Sequence, residues 1–109
     1  MLKLLFICSR NKCRSLTAEW VFRGNPGLDV KSAGTEAQAR IKVTEGLLGW
    51  ADTIFCMEKK HVERLQDKFP HAVAQKAVIC LNIPDDYQFM DPELVEILKG
   101  AVSEHVSVP

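Results

Sequence analysis

Leu2 to Cys8 is an apolar run interrupted only by Lys3, and it stops at the polar, basic stretch Ser9-Arg10-Asn11-Lys12-Cys13. Such a run, closed by polar residues, suits a strand buried on both faces. From Arg14 the pattern changes. Leu16, Trp20 and Val21 recur at helical spacing, and Gly24-Asn25-Pro26-Gly27 stops the helix. The chain therefore opens as strand, short loop, helix.

The same alternation continues. Leu28 to Ser32 predicts a short strand ended by Ala33-Gly34-Thr35, and Glu36 to Lys42 predicts a polar loop. Thr44 to Ala51 predicts a helix with Thr44 as its N-cap. Thr53 to Met57 predicts a second buried strand. Lys59 to Phe69 predicts a helix carrying Val62, Leu65 and Phe69 on one face, stopped by Pro70. Ala77 to Leu81 predicts a further apolar strand, and Ile83 to Met90 a loop around Asp85-Asp86-Tyr87. Asp91-Pro92-Glu93 then opens a last helix, with Leu94, Val95, Ile97, Leu98 and Val102 as its apolar face and a frayed tail beyond. The order predicts an α/β fold: one domain, residues 1–109, in three layers around a four-stranded parallel sheet.

Composition narrows the functions available. With 109 residues, 47% hydrophobic and 26% charged, the chain can build a core without staples. The 14 basic and 14 acidic residues cancel, which argues against a broad nucleic-acid footprint. No apolar run approaches the roughly 20 residues of a membrane span, and the start lacks a signal-peptide cleavage pattern. No membrane partner and a cytoplasmic location are the expectations. The four cysteines, Cys8, Cys13, Cys56 and Cys80, show no zinc-ligand spacing, so no metal is expected.

Any anion site must therefore be local, and the loop after the first strand is where to look. Ligands of open α/β sheets sit at the carboxyl ends of the strands. A helix starting near Arg14 would turn its free N–H groups and positive dipole end toward that loop. Cys8-Ser9-Arg10-Asn11-Lys12-Cys13-Arg14-Ser15 is a C-x5-R-S segment. Its N–H groups can form an anion-binding nest, and the planar fork of Arg14 can hold two phosphate oxygens. The same positive field favours a thiolate at Cys8, which is the competent nucleophile, and Ser15 could donate to the sulfur. C-x5-R alone is a common pattern. Its place between an apolar strand and a helix is what gives it weight.

That loop, with Asn11 in its fourth position and Cys13 before the arginine, resembles the phosphate loop of the low-molecular-weight protein tyrosine phosphatases. Ser32-Ala33-Gly34-Thr35 resembles the family's small-residue segment after its second strand. Asp52 to Glu58 resembles the strand and turn that follow, and Asp85-Asp86-Tyr87 falls where the family carries its acidic loop. The resemblance implies a phosphomonoester hydrolase with no cofactor, acting through a cysteinyl-phosphate on a phosphorylated protein or small aryl phosphate. It implies Cys8 as nucleophile, Arg14 as the phosphoryl clamp, and Asp85 as the acid, with Asp86 and Asp91 as rivals. Ser9, Arg10, Asn11, Lys12, Cys13, Arg14 and Ser15 would bind phosphate, Asn11 holding the loop's shape. Cys13 would be able to form a reversible disulfide with Cys8, or would simply pack behind the loop. Tyr87 would flank a substrate ring.

The chain departs from the family in three places. Arg10 stands where a glycine is common, Asp86 stands where a proline is expected, and the Thr35–Asp52 stretch is short. A non-catalytic phosphate-binding module is the alternative these departures motivate. An arsenate reductase would need two further relay cysteines, and Cys56 and Cys80 lie inside apolar strands instead. Trp20 and Trp50 read as packing residues. His61, His71 and His105 have no evident partner, and Lys59-Lys60-His61 reads as a solvated helix start.

Overall fold

The computed structural model describes residues 1–107. Its elements are β1 (Leu2–Cys8), α1 (Arg14–Phe22), β2 (Leu28–Gly34), α2 (Glu45–Trp50), β3 (Thr53–Cys56), α3 (Lys59–Lys68), α4 (Pro70–Val73), β4 (Ala77–Cys80) and α5 (Pro92–Ser103). The four strands form one parallel sheet in the order β2-β1-β3-β4. The α/β architecture expected from the alternating pattern is the one observed.

β1 lies between β2 and β3, and its side chains divide the molecule into two apolar layers. Leu4, Phe6 and Cys8 face one layer with Ala18 and Phe22 of α1 and Leu94, Leu98 and Val102 of α5. Leu5 and Ile7 face the other with Leu48 of α2, Leu65 of α3 and Val73 of α4. Burial on both faces is why this strand reads as a nearly unbroken apolar run rather than an alternating one. Phe6 stacks between Phe22 and Phe55, with ring centroids 5.7 and 5.3 Å away.

The chain leaves β1 on one side to reach β2 and returns on the other to reach β3. The carboxyl end of β1 is therefore the switch point of the sheet, where a crevice opens between diverging connections. The Cys8–Arg14 loop sits there.

The structure extends or corrects the expectations at four points. β2 runs on to Gly34, pairing Ala33 with Ile7 and Gly34 with Cys8, where the absence of a side chain at Gly34 leaves room for the loop to lie close. Pro70 ends α3 but also starts α4, its fixed φ being suited to a first helical position. The segment after Val102 does not fray at once: α5 reaches Ser103, and Val106 is buried against the core. β4, at the sheet edge, is only half-buried, so Cys80 is not a core residue. The caps expected at Thr44 and Asp91 are both present: Thr44 Oγ1 accepts from Leu47 N–H, and an Asp91 carboxylate oxygen accepts from Glu93 N–H.

Candidate active site

The loop after β1 is held from outside by its carbonyls. Those of Cys8, Ser9 and Arg10 accept from the N–H groups of Thr35, Glu36 and Arg40, each at 3.0 Å. The short segment after β2 thus works as a brace lying along the loop. Gly34 permits this closeness. A Cβ there would stand 2.6 Å from both Ser9 O and Ala39 Cβ.

With its carbonyls engaged outward, the loop closes on the Cys8 sulfur. Asn11 N–H donates to Sγ at 3.2 Å, and Ser15 Oγ lies 2.9 Å from it. Asn11 Nδ2 donates to Ser15 Oγ at 2.8 Å, which leaves the serine hydrogen to point at the sulfur. The other acceptor within reach among the described residues, Ala33 O, is farther at 3.4 Å. Asn11 takes the left-handed conformation (φ 59°) that the turn needs, one that asparagine tolerates better than most residues. Arg10 is not among the positive-φ residues, so an arginine fits at its position without strain. Its side chain swings out to Glu36, 3.3 Å away.

Arg14, the first residue of α1, is buried, and its Nη1 is held from behind. Glu58 Oε2 accepts from it at 2.5 Å and Ile83 O at 2.8 Å. Among the described residues its Nε has no hydrogen-bond partner, and Asp85 Oδ1 lies 3.7 Å from it. The hydrogen bond from Arg14, aided by its charge, holds the Glu58 carboxyl below its ordinary range.

These groups meet in a cavity of about 440 Å³. Cys8, Ser9, Arg10, Lys12, Cys13, Arg14 and Asp85 line it, while Asn11 and Ser15 are buried. Of the three candidate acids only Asp85 reaches the cavity. Asp91 caps α5, and Asp86 is not part of the lining. Tyr87 packs against the apolar layer of α1 and α5, and no aromatic residue lines the cavity among the described residues. Among them, too, no group of three or more His, Cys, Asp or Glu is arranged to hold a metal ion.

Sequence reading missed four residues here. Glu36 and Lys60 line the cavity, Glu58 grips Arg14, and His61 is buried (1% exposed) rather than solvated. His61 Nδ1 accepts from Glu58 N–H at 3.0 Å, and Nε2 lies 3.0 Å from Ser9 Oγ. Glu58 and His61 form a capping box at the start of α3, but Glu-x-x-His is not the Ser/Thr-x-x-Glu/Gln pattern by which such a box is read from sequence.

Of the other residues weighed, Cys56 is core, its thiol pushed up to about 12 chiefly by burial. Trp20 is exposed, packing edge-on against Phe89 under the Arg23 guanidinium.

The family model described as low molecular weight phosphotyrosine protein phosphatase matches residues 3–48, which take in β1, the loop, α1 and β2. No curated protein matches. Among solved structures, the chain is similar to Vibrio vulnificus Wzb in complex with benzylphosphonate (TM-score 0.76, 24% identity, covering 94% of this chain and 95% of that one). It is similar to SP-PTP, a low molecular weight protein tyrosine phosphatase from Streptococcus pyogenes (TM-score 0.77, 20% identity, 98% and 95%). A mutant of YwlE arginine phosphatase with a phosphorylated active-site serine also matches (TM-score 0.72, 20% identity, 94% of each chain). The resemblance that began at the loop is thus found in sequence over residues 3–48 and in fold over nearly the whole chain.

Proposed function

We propose that this chain, with the fold of the low-molecular-weight tyrosine phosphatases and their family signature across the phosphate loop, is a phosphomonoester hydrolase. The observation that carries the reading is the convergence on one cavity of a sulfur with two hydrogen-bond donors, a buried arginine fixed from behind, and a carboxylate.

In this reading Cys8 Sγ attacks phosphorus as the thiolate, which the Asn11 N–H and Ser15 hydroxyl stabilise. Arg14 meets the phosphoryl oxygens with the edge containing Nε. That N–H is buried and unpartnered, a condition costing about 1–3 kcal/mol that a phosphate oxygen would relieve. Because Glu58 and Ile83 O already fix Nη1, the guanidinium needs little rearrangement as charge builds on the equatorial oxygens. The carboxyl of Asp85 donates its proton to the leaving oxygen. Its carboxylate then takes a proton from the water that attacks the cysteinyl-phosphate, releasing phosphate and restoring Cys8. The phosphorylated active-site serine of the YwlE mutant, a chain of similar fold, supports a covalent step.

The substrate in this reading is a phosphorylated protein side chain or a small aryl phosphate. Tyr87 packs against the apolar layer and does not line the cavity, while Arg10, Lys12 and Lys60 do, so recognition of an aromatic ring is weak and the rim favours polar, anionic surroundings. A relay of the arsenate-reductase kind is disfavoured by Cys56, whose buried thiol is pushed too high to supply a thiolate.

The test is to trap the intermediate. Asp85→Ala mixed with p-nitrophenyl phosphate and quenched in acid should carry one phosphoryl group on the peptide containing Cys8, as read by mass spectrometry. Turnover by the wild type with no such adduct in any quenched sample would overturn the covalent route. Phosphotyrosine and phosphoarginine peptides belong in the same panel and rank the substrate classes.

A further inference from the structure

One buried titratable side chain touches the loop without a part in the chemistry above. His61, in the first turn of α3, reaches Ser9 with Nε2 and the Glu58 backbone with Nδ1. A ring nitrogen that accepts a backbone N–H carries no proton, so the neutral ring bears its hydrogen on Nε2. Ser9 Oγ is therefore the acceptor of that bond. Its own hydrogen is left to donate elsewhere, and Ser9 lines the cavity.

The ring stays neutral in this setting. Burial, and then the Arg14 charge, push its pKa down to about 4, with Lys60 acting in the same sense and Glu58 and Asp85 against it. A neutral ring is what the arrangement requires, since a protonated Nδ1 would oppose the Glu58 N–H.

We propose that His61 is a positioning residue of the phosphate loop: its Nε2–H turns the Ser9 hydroxyl so that Ser9 donates to a phosphoryl oxygen in the cavity. This rests on the loop holding phosphate, as argued above. His61 also fixes the start of α3, from which Glu58 grips Arg14. One side chain thereby registers the second residue of the loop against the clamp on its arginine.

Two substitutions separate these duties. In His61→Asn the amide oxygen can replace Nδ1 as acceptor for Glu58 N–H, while the side chain is too short to reach Ser9. In His61→Gln the amide N–H₂ can reach Ser9. The measurement is calorimetric binding of inorganic phosphate to the wild type, Ser9→Ala, His61→Asn, His61→Gln and the Ser9→Ala/His61→Asn double variant, alongside kcat and KM for p-nitrophenyl phosphate. His61→Asn and Ser9→Ala should each weaken phosphate binding about tenfold, the size of one hydrogen bond to an anion. The double variant should be no weaker than either, and His61→Gln should bind close to wild type. Losses that multiply in the double variant, or wild-type binding by a folded His61→Asn, would overturn the proposal. Phosphate binding reads out the pair even if no variant turns over, so failure of the hydrolase reading and failure of this inference are distinguishable.

Discussion

At the residue scale, the site depends on how few hydrogens serve so many acceptors. The Ser15 hydroxyl accepts from Asn11 and so must donate, and the sulfur is its nearest acceptor. Ser15→Ala should slow Cys8 alkylation by iodoacetate at neutral pH and lower kcat by roughly tenfold or more, since one donor to the sulfur is lost. An unchanged alkylation rate would mean that Ser15 serves Ala33 O instead. The C-x5-R-S segment was legible because nucleophile, clamp and thiolate donor lie within one strand–loop–helix unit. Glu58 and His61 were not. Glu58 meets Arg14 across 44 residues and His61 meets Ser9 across 52, and both contacts exist only because β3 pairs beside β1. A histidine that follows two lysines on a polar helix start gives no sign of which side it will face.

At the scale of elements, the three carboxylates weighed as acids are sorted by what they hold. Asp91 caps α5, so Asp91→Ala should cost about 1 kcal/mol and lower Tm by roughly 4–8 °C while hydrolysis persists. Asp85→Ala should do the reverse, leaving Tm near wild type and lowering kcat by about 10²–10⁴-fold, more steeply for alkyl than for nitrophenyl phosphates. Thermal melts paired with steady-state rates decide between them. The Asp-Pro pair was legible as a helix start because capping is local. The place of Asp85 was legible only through resemblance, since it depends on where the loop after β4 comes to rest. Gly34 makes a second case. Its φ is not positive, so its role is space alone. Gly34→Ala should force β2 away from the loop, costing about 1–3 kcal/mol and most of the activity, as paired melts and rates would register.

At the scale of the whole molecule, the buried histidine links stability to pH. His61 titrates at about 4 when folded and near 6.5 when free. Between those values the unfolded chain takes up a proton that the folded one refuses, so stability falls as pH falls from 6.5 toward 4, by at most about 3 kcal/mol. Glu58, held low by Arg14, adds stability that is present above the ordinary carboxylate range and is lost as pH drops through its folded value. Both act in one direction. Urea midpoints measured from pH 7 to pH 4.5 should decline, and His61→Asn should flatten the decline; equal slopes for the two proteins would contradict it. The sheet itself was legible throughout, because apolar strands alternating with amphipathic helices admit few arrangements. Its strand order was not, and that order assembles the cavity.

The most direct measurement is hydrolysis of p-nitrophenyl phosphate across pH 4–8 by the wild type and by Cys8→Ser. Turnover by the wild type that is absent in Cys8→Ser at every pH is the predicted result. Equal rates in the two proteins, or no turnover by a wild type whose Cys8 is reduced and alkylatable, would contradict the assignment of this chain as a cysteine-dependent phosphatase.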